Sequence, residues 1–199
     1  STYKDAPPKP DYISPSGDEI VLKDSVERGQ LIFQRYALME YGSMFGDGAA
    51  RGPDFTAEAL HHVAVEMNDY YGKQVASGNV DELSQIEKDG ISVRVKRELK
   101  ANRYDRERNT VVLTEGQTYA AGRLVEYYSS KFKGDHKEAF KPVGYITDDA
   151  ELKDLSAFFF WGAWVCAVER PGGESSYTHN WPFDEYAGNT PTPSVILWS

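Results

Sequence analysis

The chain of 199 residues has one cysteine, four histidines and no long apolar run. A single cysteine, Cys166, excludes an internal disulfide, and we expect its thiol to lie unreactive in an apolar helix. The sequence predicts no membrane span, because no run of roughly eighteen apolar residues occurs. The net charge of −9 argues against nucleic acid as a partner, since the phosphates would be repelled. It also argues against adhesion to anionic lipid head groups.

Motifs of common enzyme sites are absent too. The chain has no G-x-S-x-G, no H-E-x-x-H and no Walker A loop, and Cys166 has no neighbouring base. His61 and His62 are adjacent on a predicted helix, so they point in different directions, and neither has partners at the spacing of a metal site. The residue pattern alone therefore predicts no catalytic group.

The spacing of apolar residues predicts a mainly α-helical chain with little β-structure. We expect helices over residues 25–40, 54–71, 81–101, 115–132 and 150–168. The segment from Thr110 to Thr114 is the only convincing strand. Gly90 weakens the middle of the third helix and leaves open a division into two shorter helices.

Four helix starts carry capping signals. Ser25 can cap the first helix. Asp54 or Thr56 can cap the second helix. Thr114 and Gln117 form a T-x-x-Q capping box before the fourth helix. The fifth helix, which is apolar over most of its circumference, follows a turn in which Asp148 or the preceding threonine is the expected cap. So wide an apolar face must be covered on several sides, either by this chain or by a larger protein or membrane surface.

A glycine-rich segment separates the first two helices. Its four glycines lie within eleven residues: Gly42, Gly46, Gly48 and Gly52. Glycine at this density permits backbone conformations closed to other residues and lets another surface approach the main chain. A tight helix-to-helix connection would explain the same pattern.

The stretches RGQLIF, LMEYGSMFG and GPDFTAEAL around these glycines resemble the extracytoplasmic segment near the N-terminus of quinol-dependent nitric oxide reductases. TYKDAPPKP and SYTHNWPFDEYAGNTPTPSVILWS resemble the segments that join it to the family's first two membrane helices, and NRYDRERNTVVLTEGQ is similar to a middle segment. The resemblance implies a cytochrome c-like helical domain over residues 25–170. It also implies an extended arm over residues 1–24 and an extended segment over residues 171–199.

A c-type haem needs the motif C-x-x-C-H, in which two thiols bond the porphyrin and a histidine ligates iron. Alignment with related proteins that carry a cytochrome c domain places Leu38 and Tyr41 at the cysteine positions and Gly42 at the histidine position. The resemblance therefore implies a domain with no cofactor of its own. We expect the haem's volume to be filled by Leu38, Met39, Tyr41, Phe45 and aromatic residues of the last helix.

The resemblance implies further that the full-length protein is a membrane-anchored oxidoreductase that reduces nitric oxide to nitrous oxide with electrons from quinol. Haem b, haem b3 and non-haem iron would be carried by the catalytic transmembrane portion of the same polypeptide, which would be the partner of this domain. The domain would lie on the periplasmic, or extracytoplasmic, face of the membrane. By itself, the 199-residue chain is expected to have no activity.

Two sets of site residues follow from the resemblance. Main-chain carbonyls of Gly48 and Ala50 match positions that help to hold a calcium ion in the family, although the chain departs from the family pattern at Asp47 and Ala50. The expected docking surface combines the glycine loop with a later strip. Its residues are Tyr41, Phe45, Asp47, Gly48, Tyr177, Asn180 and Trp181.

An alternative from another class is a standalone extracytoplasmic binding module. Thirteen tyrosines and four tryptophans allow exposed rings to stack on a sugar or a quinone-like ligand, but no residue pattern fixes that ligand. A polytopic sequence after Ser199 favours the reductase, whereas a stop codon favours the module.

Overall fold

The computed structural model describes residues 6–46, 52–77, 79–135 and 142–193. Within these ranges the chain is mainly α-helical, as the sequence predicts. The helices are α1 (Lys23–Arg35), α2 (Phe55–Val75), α3 (Gln85–Lys100), α4 (Glu115–Lys133) and α5 (Asp149–Ala167). Four short strands accompany them: β1 (Asp11–Ile13), β2 (Glu19–Val21), β3 (Tyr104–Asp105) and β4 (Thr110–Val112).

Helix α5 is the centre of the fold. It packs against α1, α2 and α4, and every residue from Leu155 to Ala167 is buried. The cover that so apolar a helix requires is therefore supplied by the chain itself. Asn189 of the C-terminal segment contributes as well, because its side-chain amide donates to the Cys166 carbonyl at 2.9 Å.

An aromatic cluster joins these four helices. Phe55 of α2 stacks on Phe159 of α5, with ring centroids 5.0 Å apart and planes inclined by 5°. Phe33 of α1 meets Phe55 edge-on at 5.8 Å, and Tyr128 of α4 lies 4.6 Å from Phe159. Each ring removes a large apolar surface from water and adds directional contacts, so the cluster fixes the helices relative to one another.

The strands form one sheet in the order β2-β1-β4-β3. Strand β1 pairs antiparallel with β2 and parallel with β4, which places Tyr12 opposite Val111. The prediction of a single strand was wrong, since three others are present. Segments of two or three residues are too short to show the alternation by which a strand is recognised.

Helix α1 begins and ends earlier than predicted. Its first amide, Lys23 N, donates to the carboxylate of Asp11 at 2.7 Å, so the cap comes from β1 and not from Ser25. The helix ends at Arg35, and Ala37 then adopts a left-handed conformation with φ 49°. A short 3-10 turn, Leu38–Glu40, follows.

The other helix starts agree better with their sequence signals. Thr114 and Gln117 form the predicted capping box of α4, and Asp148 caps α5. Helix α3 starts at Gln85, later than predicted, because Ser84 and Glu87 form a second capping box there. Helix α3 is continuous through Gly90, so the division into two helices is wrong.

Candidate functional site

Asp54 holds the start of the glycine segment onto the N-terminus of α2. Its Oδ1 accepts hydrogen bonds from the main-chain amides of Thr56 and Ala57, both at 2.9 Å, which caps the helix as predicted. Its Oδ2 accepts from Ser43 Oγ at 2.7 Å and from Gly46 N at 2.9 Å. One carboxylate therefore fixes both the helix end and the loop, and only the first of these roles was predicted from the sequence.

The loop that Asp54 holds is strained at Phe45. Phe45 has φ 55° and Gly46 has φ 78°, and a left-handed conformation costs about 1–2 kcal/mol for a residue with a Cβ. The hydrogen bond from Phe45 N to Thr56 Oγ1 at 3.1 Å helps to hold this conformation. The Phe45 ring meets Trp161 of α5 edge-on, with centroids 5.8 Å apart.

The glycine loop and the later strip meet in space, although they are far apart in sequence. The main chain of Gly46 lies on the indole of Trp181, because a Cβ added at Gly46 would come within 3.2 Å of Trp181 Cζ2. The structure thus brings Phe45, Gly46 and Trp181 into one surface. Asp47, Gly48 and Ala50 lie outside the described residues.

Two other residues of the predicted strip contribute differently. Asn180 shapes the turn from within, since its side-chain oxygen accepts from Ser176 N at 3.0 Å and its main-chain amide donates to Ser176 Oγ at 2.8 Å. Tyr177 is half-buried, and its ring lies 6.2 Å from that of Trp164. Asn180 therefore supports the shape of the strip, while Tyr177 connects the strip to α5.

The positions of the c-type haem motif are filled by protein. Leu38 is completely buried. At Gly42, an added Cβ would lie 2.5 Å from the Pro53 carbonyl oxygen and 2.7 Å from the Phe55 ring. A histidine does not fit there unless Phe55 leaves its stacked position, so these residues do not fit a covalent haem. Met39 is 49% exposed, and its predicted role in filling the haem volume is wrong, because it projects from the 3-10 turn towards solvent.

Tyr41 makes an aromatic contact with the segment before α5. It is half-buried and packs edge-on against Tyr145, with ring centroids 5.5 Å apart. Tyr145 in turn donates its hydroxyl to the Tyr36 carbonyl at 2.8 Å. Tyr41 and Phe45, the other two members of the expected haem-filling set, are therefore partly buried and pack against the edge of the core.

A buried ion pair, which was not predicted from the sequence, crosses from α4 to α2. Lys131 pairs with Glu58, and their side chains are only 8% and 14% exposed. Tyr127 also donates to Glu58 at 2.5 Å. Lysine and glutamate are almost never buried without a partner, but nothing in the sequence identifies a pair whose members are so far apart.

Two groups near the end of α5 have shifted proton affinities. Burial raises the pKa of Cys166 to about 12, so the thiol is buried and unreactive as predicted. Burial also lowers the pKa of Lys100 to about 8. The Lys100 ammonium donates to the side chain of Asn189, which ties the C-terminal segment to α3.

The two histidines of α2 have separate partners. His61 Nδ1 lies 2.9 Å from an oxygen of Asp184, and the His62 ring is 3.7 Å from that of Tyr127. Among the residues that the structure describes, no three histidine, cysteine or acidic side chains are grouped to hold a metal ion. No helix in the described part of the chain has both the length and the apolar character to cross a membrane.

The chain matches the model of a known protein family. The model of the NorB cytochrome c-like domain of nitric oxide reductase matches residues 10–183, a range that contains the sheet, all five helices and the loop that packs on Trp181. The comparison with curated proteins gives no match. Because the family match covers most of the sequence, the chain belongs to the family of NorB cytochrome c-like domains of nitric oxide reductase.

Proposed function

We propose that this chain is the haem-free, periplasm-facing domain of a quinol-dependent nitric oxide reductase. It caps the catalytic haem-bearing portion of the same polypeptide and docks on it. The full-length enzyme reduces nitric oxide to nitrous oxide with electrons from quinol. The observation that carries the proposal is the packing at Gly42, where the Phe55 ring occupies the space that a haem-ligating histidine would need.

The loss of the haem motif supports a structural role over an electron-carrying one. The only cysteine, Cys166, is followed by alanine, so no pair of thioether bonds to a porphyrin can form. The aromatic cluster of Phe33, Phe55 and Phe159 fills the space between the helices. A soluble electron donor that docks on such a domain has no c-type haem there to reduce, which favours quinol in the membrane as the donor.

The docking role is proposed for the surface where the loop meets the strip, formed by Phe45, Gly46, Tyr177 and Trp181 and extended by Phe183. Phe183 lies two residues after Trp181 and is 68% exposed, and aromatic residues are enriched at protein interfaces. Asp54 holds the start of the loop, from Ser43 to Gly46, in one conformation. A surface ordered in advance loses less conformational entropy when a partner binds, which favours docking there.

The cofactors are assigned to the remainder of the enzyme. Haem b, haem b3 and non-haem iron belong in this proposal to the transmembrane portion. A calcium ion held partly by main-chain carbonyls of Gly48 and Ala50 stays a prediction, since both residues lie outside the described ranges. The family match favours this proposal over the standalone binding module.

The difference in absorbance between the reduced and oxidised membrane-bound protein tests the haem assignment. We expect the bands of b-type haem and no c-type band, and a pyridine haemochrome assay should give no thioether-linked haem. Detection of covalent haem on this chain would overturn the proposal. Turnover with quinol but not with reduced cytochrome c would support the electron donor.

Substitution at Phe183 tests the docking surface in the full-length enzyme. We expect Phe183→Glu to lower nitric oxide turnover several-fold, because a charge would be buried at the interface. Ile86→Glu is the matched control, since Ile86 is 84% exposed and lies on α3, which contributes no residue to the proposed surface. Substitution at either exposed site should change the free energy of unfolding by no more than about 0.5 kcal/mol. Equal turnover in both variants would count against this surface.

A further inference from the structure

One cavity among the described residues has basic walls, although the chain is acidic overall. It has a volume of about 600 Å³, within the range of about 300–1,000 Å³ in which proteins hold small molecules. Its walls include the side chains of Arg106, Arg170, Tyr104 and Tyr177. None of the described residues that line it is acidic, in a chain whose net charge is −9.

Secondary structure positions both arginines. Arg106 lies in the turn between β3 and β4, where the Asp105 carboxylate accepts the main-chain amides of Glu107 and Arg108 at 2.9 and 3.2 Å. Arg170 lies in a hairpin after α5, where Arg170 N donates to the Ser175 carbonyl at 3.0 Å. Each guanidinium group is therefore carried by a turn whose main chain is fixed.

The N-terminal arm closes the other side of the cavity. Ala6 and Pro8 line it, and Trp161 Nε1 fixes the arm by donating to the Pro8 carbonyl at 2.8 Å. Asn109 secures the next residue, because its side-chain amide donates to the Lys9 carbonyl at 3.0 Å. Three separate parts of the chain therefore form a cavity with fixed walls.

The two guanidinium groups differ in their surroundings, since Arg106 is exposed and Arg170 is partly buried. Arg170 donates from Nη2 to Ser175 Oγ at 3.3 Å, while its buried Nε has no partner. No ion pair joins Arg106 or Arg170 to a carboxylate among the described residues, whereas the neighbouring Arg108 pairs with Asp105 at 3.8 Å. Two guanidinium groups without a carboxylate partner therefore leave the cavity wall positively charged, and such a wall attracts an anion.

We propose that this cavity binds a phosphate group carried by a small molecule, with Arg106 and Arg170 as its two cationic contacts. Guanidinium groups match phosphate oxygens through paired, charge-assisted hydrogen bonds. The volume exceeds the needs of a bare ion and accommodates the remainder of a head group. Two sources supply this chemistry: the head group of an anionic phospholipid and a soluble phosphate ester.

The lipid source alone rests on the proposed function, in which the chain ends lead to membrane helices. Ala6, at the start of the described chain, lines the cavity. Near the end of the described chain, Thr192 N donates to the His179 carbonyl at 3.1 Å. His179 lies two residues after Tyr177, which lines the cavity. Phosphate binding itself does not depend on that function, so the two proposals fail independently.

Calorimetric titration of the purified chain with inorganic phosphate and with glycerol 3-phosphate tests the site. We expect Arg106→Gln and Arg170→Gln each to weaken binding about tenfold, because charge-assisted hydrogen bonds are among the stronger polar contacts. Arg108→Gln removes the same charge two residues away, at a side chain that is 82% exposed, and should bind like the wild type. No binding of either compound, or an equal loss in Arg108→Gln, would overturn the proposal.

Flotation with vesicles separates the two sources. Binding to phosphatidylglycerol vesicles but not to phosphatidylcholine vesicles, lost in Arg106→Gln, would assign the phosphate to a lipid head group. Phosphate binding without flotation would assign it to a soluble ester. Arg106 is exposed, so its variant keeps the test valid even where Arg170→Gln disturbs the hairpin, and circular dichroism checks both folds.

Discussion

Replacement of Asp54 should separate the cap of α2 from the anchor of the glycine loop. Its Oδ1 caps the helix and its Oδ2 holds Ser43 and Gly46. Losing the cap costs about 1 kcal/mol, and each hydrogen bond to a charged acceptor contributes about 1.5 kcal/mol. Because such contributions overlap, we expect Asp54→Ala to lower the free energy of unfolding by about 2–4 kcal/mol.

Asp54→Asn makes the prediction more specific. An amide has one oxygen and one NH₂ group, so in either orientation it can satisfy the helix amides or the loop donors, but not both. We therefore expect a loss of about 1–2 kcal/mol, midway between the wild type and the alanine variant. Asp148→Ala is the matched control, since Asp148 caps α5 through one bond, from Glu151 N at 2.9 Å, and should cost about 1 kcal/mol.

Urea unfolding followed by circular dichroism measures these differences, and hydrogen exchange at the Gly46 amide reports on the loop itself. Exchange at Gly46 should accelerate in Asp54→Ala and stay slow in Asp148→Ala. The reasoning would be refuted if Asp54→Ala and Asp148→Ala lost equal stability and Gly46 stayed protected in both.

Three further predictions concern the core and its buried charges. Gly42→Ala should destabilise the chain by about 1–3 kcal/mol, because the added Cβ would overlap Pro53 and Phe55. Gly90→Ala should stabilise it by about 0.5–1 kcal/mol, because a Cβ at Gly90 would have nothing within 4 Å. Similar urea midpoints for the two variants would contradict this prediction. Lys131→Met should lower the free energy of unfolding by about 2–4 kcal/mol, because it leaves Glu58 buried without its cation. A double-mutant cycle with Glu58→Gln should show a coupling energy of about 1–3 kcal/mol. Strictly additive losses would show that the pair does not stabilise the fold as a unit. Burial lowers the pKa of Lys100 from 10.5 to about 8, so between these pH values the unfolded chain holds a proton that the folded chain has lost. The free energy of unfolding therefore rises with pH across this window, by up to about 2 kcal/mol after allowance for the partial exposure of Lys100. Urea unfolding at about pH 7 and about pH 10, on either side of most of this window, should show that rise in the wild type relative to Lys100→Met, and equal pH dependence in both would contradict it.

The sequence predicted the helices wherever the signal was local. The Thr114 capping box and the Asp148 cap act within three residues of the chain, so their donors and acceptors can be read from spacing alone. The start of α1 was misplaced because its cap, Asp11, lies twelve residues earlier on β1. The same limit applies to β1 and β4, whose parallel pairing joins Asp11 to Thr110.

For the candidate surfaces too, the sequence identified some residues, but only the fold showed which of them are in contact. Phe45 and Trp181 were predicted as separate contributors to a docking surface, but their meeting through Gly46 needed the fold. The cavity proposed to bind phosphate was not predicted, since Arg106 and Arg170 are sixty-four residues apart in sequence and both line it only after the chain has folded.

The sequence by itself determined the mainly helical class, most helix starts and the loss of the haem motif, because these depend on residue type and on spacing within a few turns. The tertiary structure decided how the lost motif is filled, with Phe55 against Gly42 and stacked on Phe159. It also decided which loops share a surface and which arginines share a cavity. Such contacts join residues that are distant in the chain, and their free energy arises only when packing brings the groups together and excludes water.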